Sequence, residues 1–423
     1  MPCSPFLGQT VCFFAAASPL TAADWPQFLG PNRDGVARES PPLITEVPGD
    51  GIPLVWNRAI GEGFAGPVVA GDHCLIFHRR DDEAVVEALA RATGETIWTA
   101  SYPTSYRDRF GFDEGPRSCP TVEGERVFTY GAEGVLQCLD LKTGRRLWNV
   151  DLAADHGSPQ GFFGRACAPL IAEHLVLVAS GSADPQGPCV HAFEADTGKL
   201  VWSAGNGEAG YASPLLAKSG PDPLALFFTR EGLLALNAKT GFLVYQEPFR
   251  AVDHASVNAA SPVLVDDGRV WLSSCYEAGA ALWSFGPTAA SWRSLWKLGD
   301  RLDCHYATPV PSGDHLFGFH GRQESGQDLR CIAWADGKIL WKSERIPAGS
   351  LILADATLLI LTERGELLAA PADPARYELR WRAQLTGADT RAAPAFSDGF
   401  FFARDRRQLV CADLRAKGPG KSK

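Results

Sequence analysis

Apolar residues in this chain come in short runs. Arg126–Tyr130 (RVFTY) and Val135–Asp140 (VLQCLD) are typical, and Gly, Asp, Asn or Pro stands between such runs. Short segments rich in β-branched and aromatic residues, bounded by turn formers, predict strands rather than helices. Around these two runs the pattern predicts a four-strand unit of Thr121–Val122, Arg126–Tyr130, Val135–Asp140 and Arg145–Val150, with turns at Gly124-Glu125 and Gly131 to Gly134. A membrane-spanning helix needs roughly 18 or more apolar residues. The nearest approach, Leu351 to Leu361, is shorter and carries Asp355, so no spanning helix is expected.

The unit recurs. Its phrase is a small residue, an apolar residue, Asp or similar, two residues, Thr-Gly, three residues and Trp. It reads ALARATGETIW at Ala88 to Trp98, CLDLKTGRRLW at Cys138 to Trp148, AFEADTGKLVW at Ala192 to Trp202 and ALNAKTGFLVY at Ala235 to Tyr245. CIAWADGKILW at Cys331 to Trp341 keeps the Gly and Trp, and weaker copies end at Trp296 and Trp381. A second phrase, small residues and Pro before an apolar run, precedes each copy at Pro67, Pro120, Pro169, Pro214, Pro262, Pro309 and Pro394, with Ser350 in the equivalent place once. The interval is about 47 residues, a propeller-blade period. Eight inner-strand starts and eight outer aromatic positions (56, 98, 148, 202, 245, 296, 341, 381) predict eight blades.

The last copy, QLVCADLRAKG from Gln408, ends before any Trp, while an unpaired outer-strand phrase, PLVWNRAIG with Trp56, stands at the front. The first strand should therefore complete the last blade and close the ring without an exposed edge. The expected organisation is a leader at 1–23, an N-terminal arm at 24–52, an all-β eight-bladed propeller at 53–415 and a disordered tail at 416–423. The outer Trp should pack between neighbouring sheets.

Composition alters this little. The net charge is −9 and no basic block precedes the tail, so nucleic-acid binding over a broad basic face is not expected. The apolar segment Val11 to Ser18, followed by Thr21-Ala22-Ala23, resembles an export leader, which implies a periplasmic or extracellular protein. Nine of the eleven Cys follow it; Cys138, Cys331 and Cys411 fall at the repeat position where other copies carry Ala, so they are expected to pack as small hydrophobes. Two dinucleotide-like glycine motifs, GEGFAG at Gly61 to Gly66 and GNGEAG at Gly205 to Gly210, lie between strands with no following helix and read as loops.

The AxDxxTGxxxW phrase, repeated around a closed ring from about Asp24 to Arg415, resembles the PQQ-like (quinoprotein-type) propeller repeats, and DWPQFLGPNRDG at Asp24 to Gly35 looks like the start of secreted members. The resemblance implies an eight-bladed propeller and one of two functions. The larger members are dehydrogenases that hold pyrroloquinoline quinone (PQQ) with Ca²⁺; shorter members, among them the outer-membrane assembly propeller, are scaffolds without a cofactor. This chain is similar in length to the shorter kind and carries no adjacent Cys-Cys pair.

In a propeller the loops before the inner strands gather at one channel mouth. Three or four residues before the Pro positions stand Phe64, Arg117, Arg165, Tyr211, Asn258, His305 with Tyr306, and Arg391. Equivalent blades would bring these together as a candidate ligand site, and three Arg there suit a small anionic ligand. The alternative is that the arginines pair with Asp108, Asp113, Glu114 or Asp303. Two long connections, Ser101 to Cys119 and Asp151 to Ala168, carry Phe110, Phe112, Phe162 and Phe163, and suit recognition or, equally, a lid over the channel. His254 and His305, beside Asp253 and Asp303, could meet at the mouth, but no metal-ligand spacing and no catalytic motif occurs. The primary expectation is an exported, non-catalytic binding or scaffold module; the alternative is a PQQ-dependent oxidoreductase acting on alcohols or sugars.

Overall fold

The computed structural model describes residues 24–251, 253 and 256–416. The leader expected at 1–23, His254 and the tail beyond Ala416 lie outside the described residues. The chain forms eight antiparallel four-stranded sheets arranged as the blades of an eight-bladed β-propeller. Blade 1 comprises Val68–Ala70, His73–Arg80, Glu83–Ala90 and Thr96–Pro103. Blade 2 comprises Thr121–Glu123, Arg126–Tyr130, Val135–Asp140 and Arg146–Asp151, within one residue of the expectation at every boundary. Blade 8 is built from Ala395–Ser397, Phe400–Arg404 and Gln408–Asp413, and its outer strand is Leu54–Ala59 from the front of the chain, with Trp56 opposite Cys411.

The repeat phrase has a mechanical reading. All eight outer aromatics lie on outer strands, and the indole N–H of most reaches across to the next blade. Trp56 donates to Arg91 O at 2.8 Å, Trp98 to Leu141 O at 2.8 Å, Trp148 to Ala195 O at 2.9 Å, Trp296 to Trp334 O at 3.0 Å and Trp341 to Asp373 O at 2.8 Å. The acceptor sits at the turn between the third and fourth strands of that next blade, and the turn glycine lies under the indole. At Gly144 (φ +70°) a Cβ would come within 2.4 Å of the Trp98 ring. Gly is thus needed twice, for a left-handed backbone and for clearance beneath the neighbouring blade's Trp. Thr143 completes the turn, its N–H and hydroxyl both donating to Asp140 Oδ1.

In blade 8 no covalent turn joins the third strand Gln408–Asp413 to the outer strand Leu54–Ala59, and the arm takes its place against blade 7. Ile44 N–H donates to Leu414 O and Ala416 N–H to Pro42 O, and Trp381 donates to Ile44 O at 3.2 Å, the role a turn carbonyl plays elsewhere.

The rest of the arm crosses the channel along the inner strands. Trp25, 1 % exposed, bridges to Val69 of blade 1. Pro26 O accepts from Val122 of blade 2, and Val36–Ala37 pairs in parallel with Leu353 and Ala354 of blade 7, giving that sheet a fifth strand. The inner strand there, Gly349–Ala354, is the longest of the inner strands, and it is the one not preceded by Pro. Between these points the Arg33 guanidinium is buried against carbonyls of two blades: Pro214 O at 2.8 Å, Ala168 O at 3.4 Å and Pro169 O. Burial pulls its pKa down to about 10, so it stays a cation held by backbone dipoles.

The nine described cysteines are free and buried, including Cys138, Cys331 and Cys411 in the third strands of their blades. Burial raises their thiol pKa values, to about 12 in those three, so they behave as packing groups. Both glycine motifs lie in connections between an outer strand and the next inner strand.

Candidate functional site

The arm forms the floor of a cavity of about 270 Å³ at one mouth of the channel, through Phe28 and Leu29. Six of the eight residues singled out from the loops face it: Phe64, Arg117, Tyr211, His305, Tyr306 and Arg391. Two do not. Arg165 is 4 % exposed and turns away to Ser158, donating to its carbonyl and hydroxyl oxygens. Asn258 is 2 % exposed, and its amide donates to Thr229 O at 2.9 Å and Phe249 O at 3.0 Å. The three-arginine ring is therefore corrected to two. Equal spacing from the inner Pro puts a residue in the right loop, but nearby orphan carbonyls decide where a polar side chain ends.

The two long connections build the aromatic wall. Asp108 accepts from the backbone N–H of Phe110, Phe112 and Asp113, a local turn that presents both rings. Phe110 is 55 % and Phe112 45 % exposed. Phe163 stands 5.2 Å from Phe110 and 6.1 Å from Phe112, centroid to centroid. Tyr211 fixes the second loop, its hydroxyl accepting from Phe162 N–H at 2.9 Å and Phe163 N–H at 3.2 Å.

Both arginines stack on this wall, and both have carboxylates beside them. Arg117 lies over Phe64 (5.0 Å) and Phe163 (5.5 Å), donates to Phe163 O at 2.8 Å and sits 3.4 Å from Asp108. Arg391 lies over Phe64 (5.6 Å) and Phe112 (5.4 Å). Its Nε is 3.3 Å from Glu363 Oε1 but off the line of a hydrogen bond, so this contact is an ion pair only. The pairing expected with Asp108 is present; the partner of Arg391 is Glu363, and Asp303 lies away from the mouth, with its backbone N–H donating to His320 Nδ1.

The opposite wall is polar and was largely missed in the sequence. Tyr306 and Gln323 both donate to Glu363 at 2.7 Å. His305 lies 3.0 Å from the Tyr276 hydroxyl and accepts from Gln323 N–H at 3.3 Å. Burial lowers the His305 pKa, leaving a neutral ring at pH 7. Tyr276, Gln323 and Glu363 come from connections after the second strands of blades 5, 6 and 7. Those connections open on the same face as the inter-blade loops, and that rule would have found them. No group of three or more His, Cys, Asp or Glu able to hold a metal ion occurs among the described residues.

A closed ring of Trp-docked blades whose loops enclose a cavity at one mouth defines a quinoprotein-like propeller. The family model described as outer membrane protein assembly factor BamB matches residues 82–324, more than half of the chain, and the chain belongs to that family. Among individual relatives, the assembly factor BamB of Yersinia pestis is 22% identical over 71% of this chain and 75% of its own length. The quinohemoprotein alcohol dehydrogenase ADH-IIG of Pseudomonas putida is 35% identical over 124 residues, 28% of this chain and only 16% of that protein. The BamB structure from Moraxella catarrhalis superposes with a TM-score of 0.63 at 15% identity, covering 87% of this chain and 99% of that one. The quinohemoprotein alcohol dehydrogenase of Comamonas testosteroni superposes with 0.64 at 14% identity, covering 97% and 83%. These superpositions show the fold.

Proposed function

We propose that the protein is an exported, non-catalytic binding module that engages a protein partner through the loops at the channel mouth. The observation that carries this reading is the half-exposed Phe110–Phe112–Phe163 cluster, set on a rigid ring and flanked by Arg117 and Arg391. Aromatic and arginine side chains that become buried at the centre of an interface supply much of its energy. Membership of the family described as an assembly factor supports it.

The second reading, a PQQ-dependent oxidoreductase, is favoured by the stretch shared with quinohemoprotein dehydrogenases. The donor set at the mouth does not fit the cofactor. PQQ brings several carboxylates and shares its Ca²⁺ with protein oxygen ligands. Here Arg117 is taken up by Asp108 and Phe163 O, and Tyr306 and Gln323 by Glu363, with no cluster suited to a cation among the described residues. Titration with PQQ and Ca²⁺, followed by dye-linked alcohol oxidation, separates the readings. The binding-module reading expects neither saturation at micromolar cofactor nor turnover; turnover lost in Arg391→Ala would overturn it.

A further inference from the structure

We propose that the mouth cavity is a binding site for a small planar aromatic monocarboxylate, its ring against the phenylalanine wall and its carboxylate on Arg391 and Tyr276. The inference rests on the mouth being the functional site and names the class of ligand it takes.

Hydrogen-bond bookkeeping on the polar wall leads to it. Gln323 N–H donates to His305 Nδ1, so the neutral imidazole carries its proton on Nε2. That proton goes to the Tyr276 oxygen at 3.0 Å. The hydroxyl hydrogen of Tyr276 then has no acceptor among the described residues, although the side chain faces the cavity. The two terminal nitrogens of Arg391 likewise have no hydrogen-bond acceptor among them, its Glu363 contact being at Nε. Tyr306 and Gln323 are committed to Glu363. The wall therefore offers two unmet donors, one of them cationic, and calls for an acceptor edge with negative charge.

The turn that presents Tyr276 is strained, as is the Asp355-Ala356 turn of blade 7. Tyr276 (φ 61°) and Glu277 (φ 66°) are successive non-glycine residues in the left-handed region, at a hairpin turn where Asn-Gly would sit without cost. The other wall is aromatic, Phe64, Phe112 and Phe163 with Arg117 and Arg391 stacked on them, and the floor is Phe28 and Leu29. At about 270 Å³ the space lies just under the range of about 300–1,000 Å³ usual for ligand pockets. That limits the ligand to one or two rings. Arg391, ion-paired with Glu363 through Nε, keeps its terminal nitrogens for one carboxylate.

The test is titration of the purified protein with 2-naphthoate and with its uncharged isostere 2-naphthamide, read by calorimetry. The expected result is saturable naphthoate binding at least about tenfold tighter than amide binding. Arg391→Gln and Tyr276→Phe should each weaken naphthoate at least about fivefold and shift the amide by less than about twofold, with melting temperatures unchanged. Phe64→Leu should weaken both ligands. Equal affinity for the amide, or no saturation of the normally melting wild type at millimolar naphthoate, overturns the proposal. So does PQQ binding with turnover that depends on Arg391. If naphthoate fails while the mouth loops still cross-link to a protein partner, the ligand class falls and the binding-module reading stands.

Discussion

Trp98 of blade 1 and Trp202 of blade 3 occupy the same repeat position and are similarly buried, yet only Trp98 has an acceptor for its indole N–H; that of Trp202 is unpaired. Trp→Phe at the two sites therefore separates packing from hydrogen bonding. Trp98→Phe should cost more, because Leu141 O loses its donor at about 1–3 kcal/mol. Trp202→Phe should cost less, since it removes an orphan donor; Trp202→Ala should cost roughly 3–5 kcal/mol as for any large buried aromatic. Urea unfolding of the three variants checks the order. A second residue-scale prediction concerns His191, whose pKa falls to about 4 through burial and the adjacent His156 ring, 4.8 Å away. The unfolded chain takes up this proton near pH 6.5, the folded one only near pH 4. Stability is unaffected above pH 6.5 and falls as pH drops towards 4, by up to roughly 3 kcal/mol. His191→Phe should flatten that part of a melting-temperature profile; an unchanged slope would place the loss elsewhere.

At the scale of elements, the Thr-Gly turn was legible because its constraints repeat: Asp140 caps it, Gly144 supplies the backbone, and the preceding blade's Trp98 covers it. Gly144→Ala should destabilise by about 1–3 kcal/mol from backbone strain, plus the clash with Trp98. Gly268→Ala, where nothing lies within 4 Å of the added carbon, should be within about 0.5 kcal/mol of wild type. The mouth was only partly legible. Phe64, Tyr211 and Arg391 could be placed by counting back from the inner Pro, since loop position alone decides them. Arg165 and Asn258 could not, because carbonyls at Ser158 and Thr229 capture them. Tyr276 and Glu363 belong to a second family of loops that carries no repeated phrase.

For the whole molecule, ring closure followed from an outer strand missing at one end and present at the other. The arm had no such signal: DWPQFLGPNRDG occurs once, and its partners are backbone carbonyls, which leave no trace in side-chain patterns. Yet it touches inner strands on both sides of the channel and floors the mouth cavity. Arg33→Met should cost roughly 2–4 kcal/mol by leaving buried carbonyls without a donor. Arg33→Lys should recover little, since one ammonium cannot span the carbonyls of two blades. The central claim, that the mouth of this ring rather than its rim is where it binds, is tested most directly by photo-cross-linking in cells. A photoreactive residue at Phe112 should give a discrete adduct with a partner protein, abolished by Phe110→Asp. The same group at Phe242, 70 % exposed on the outer edge of blade 4, should give none. An adduct at Phe242 with none at Phe112 would contradict the account.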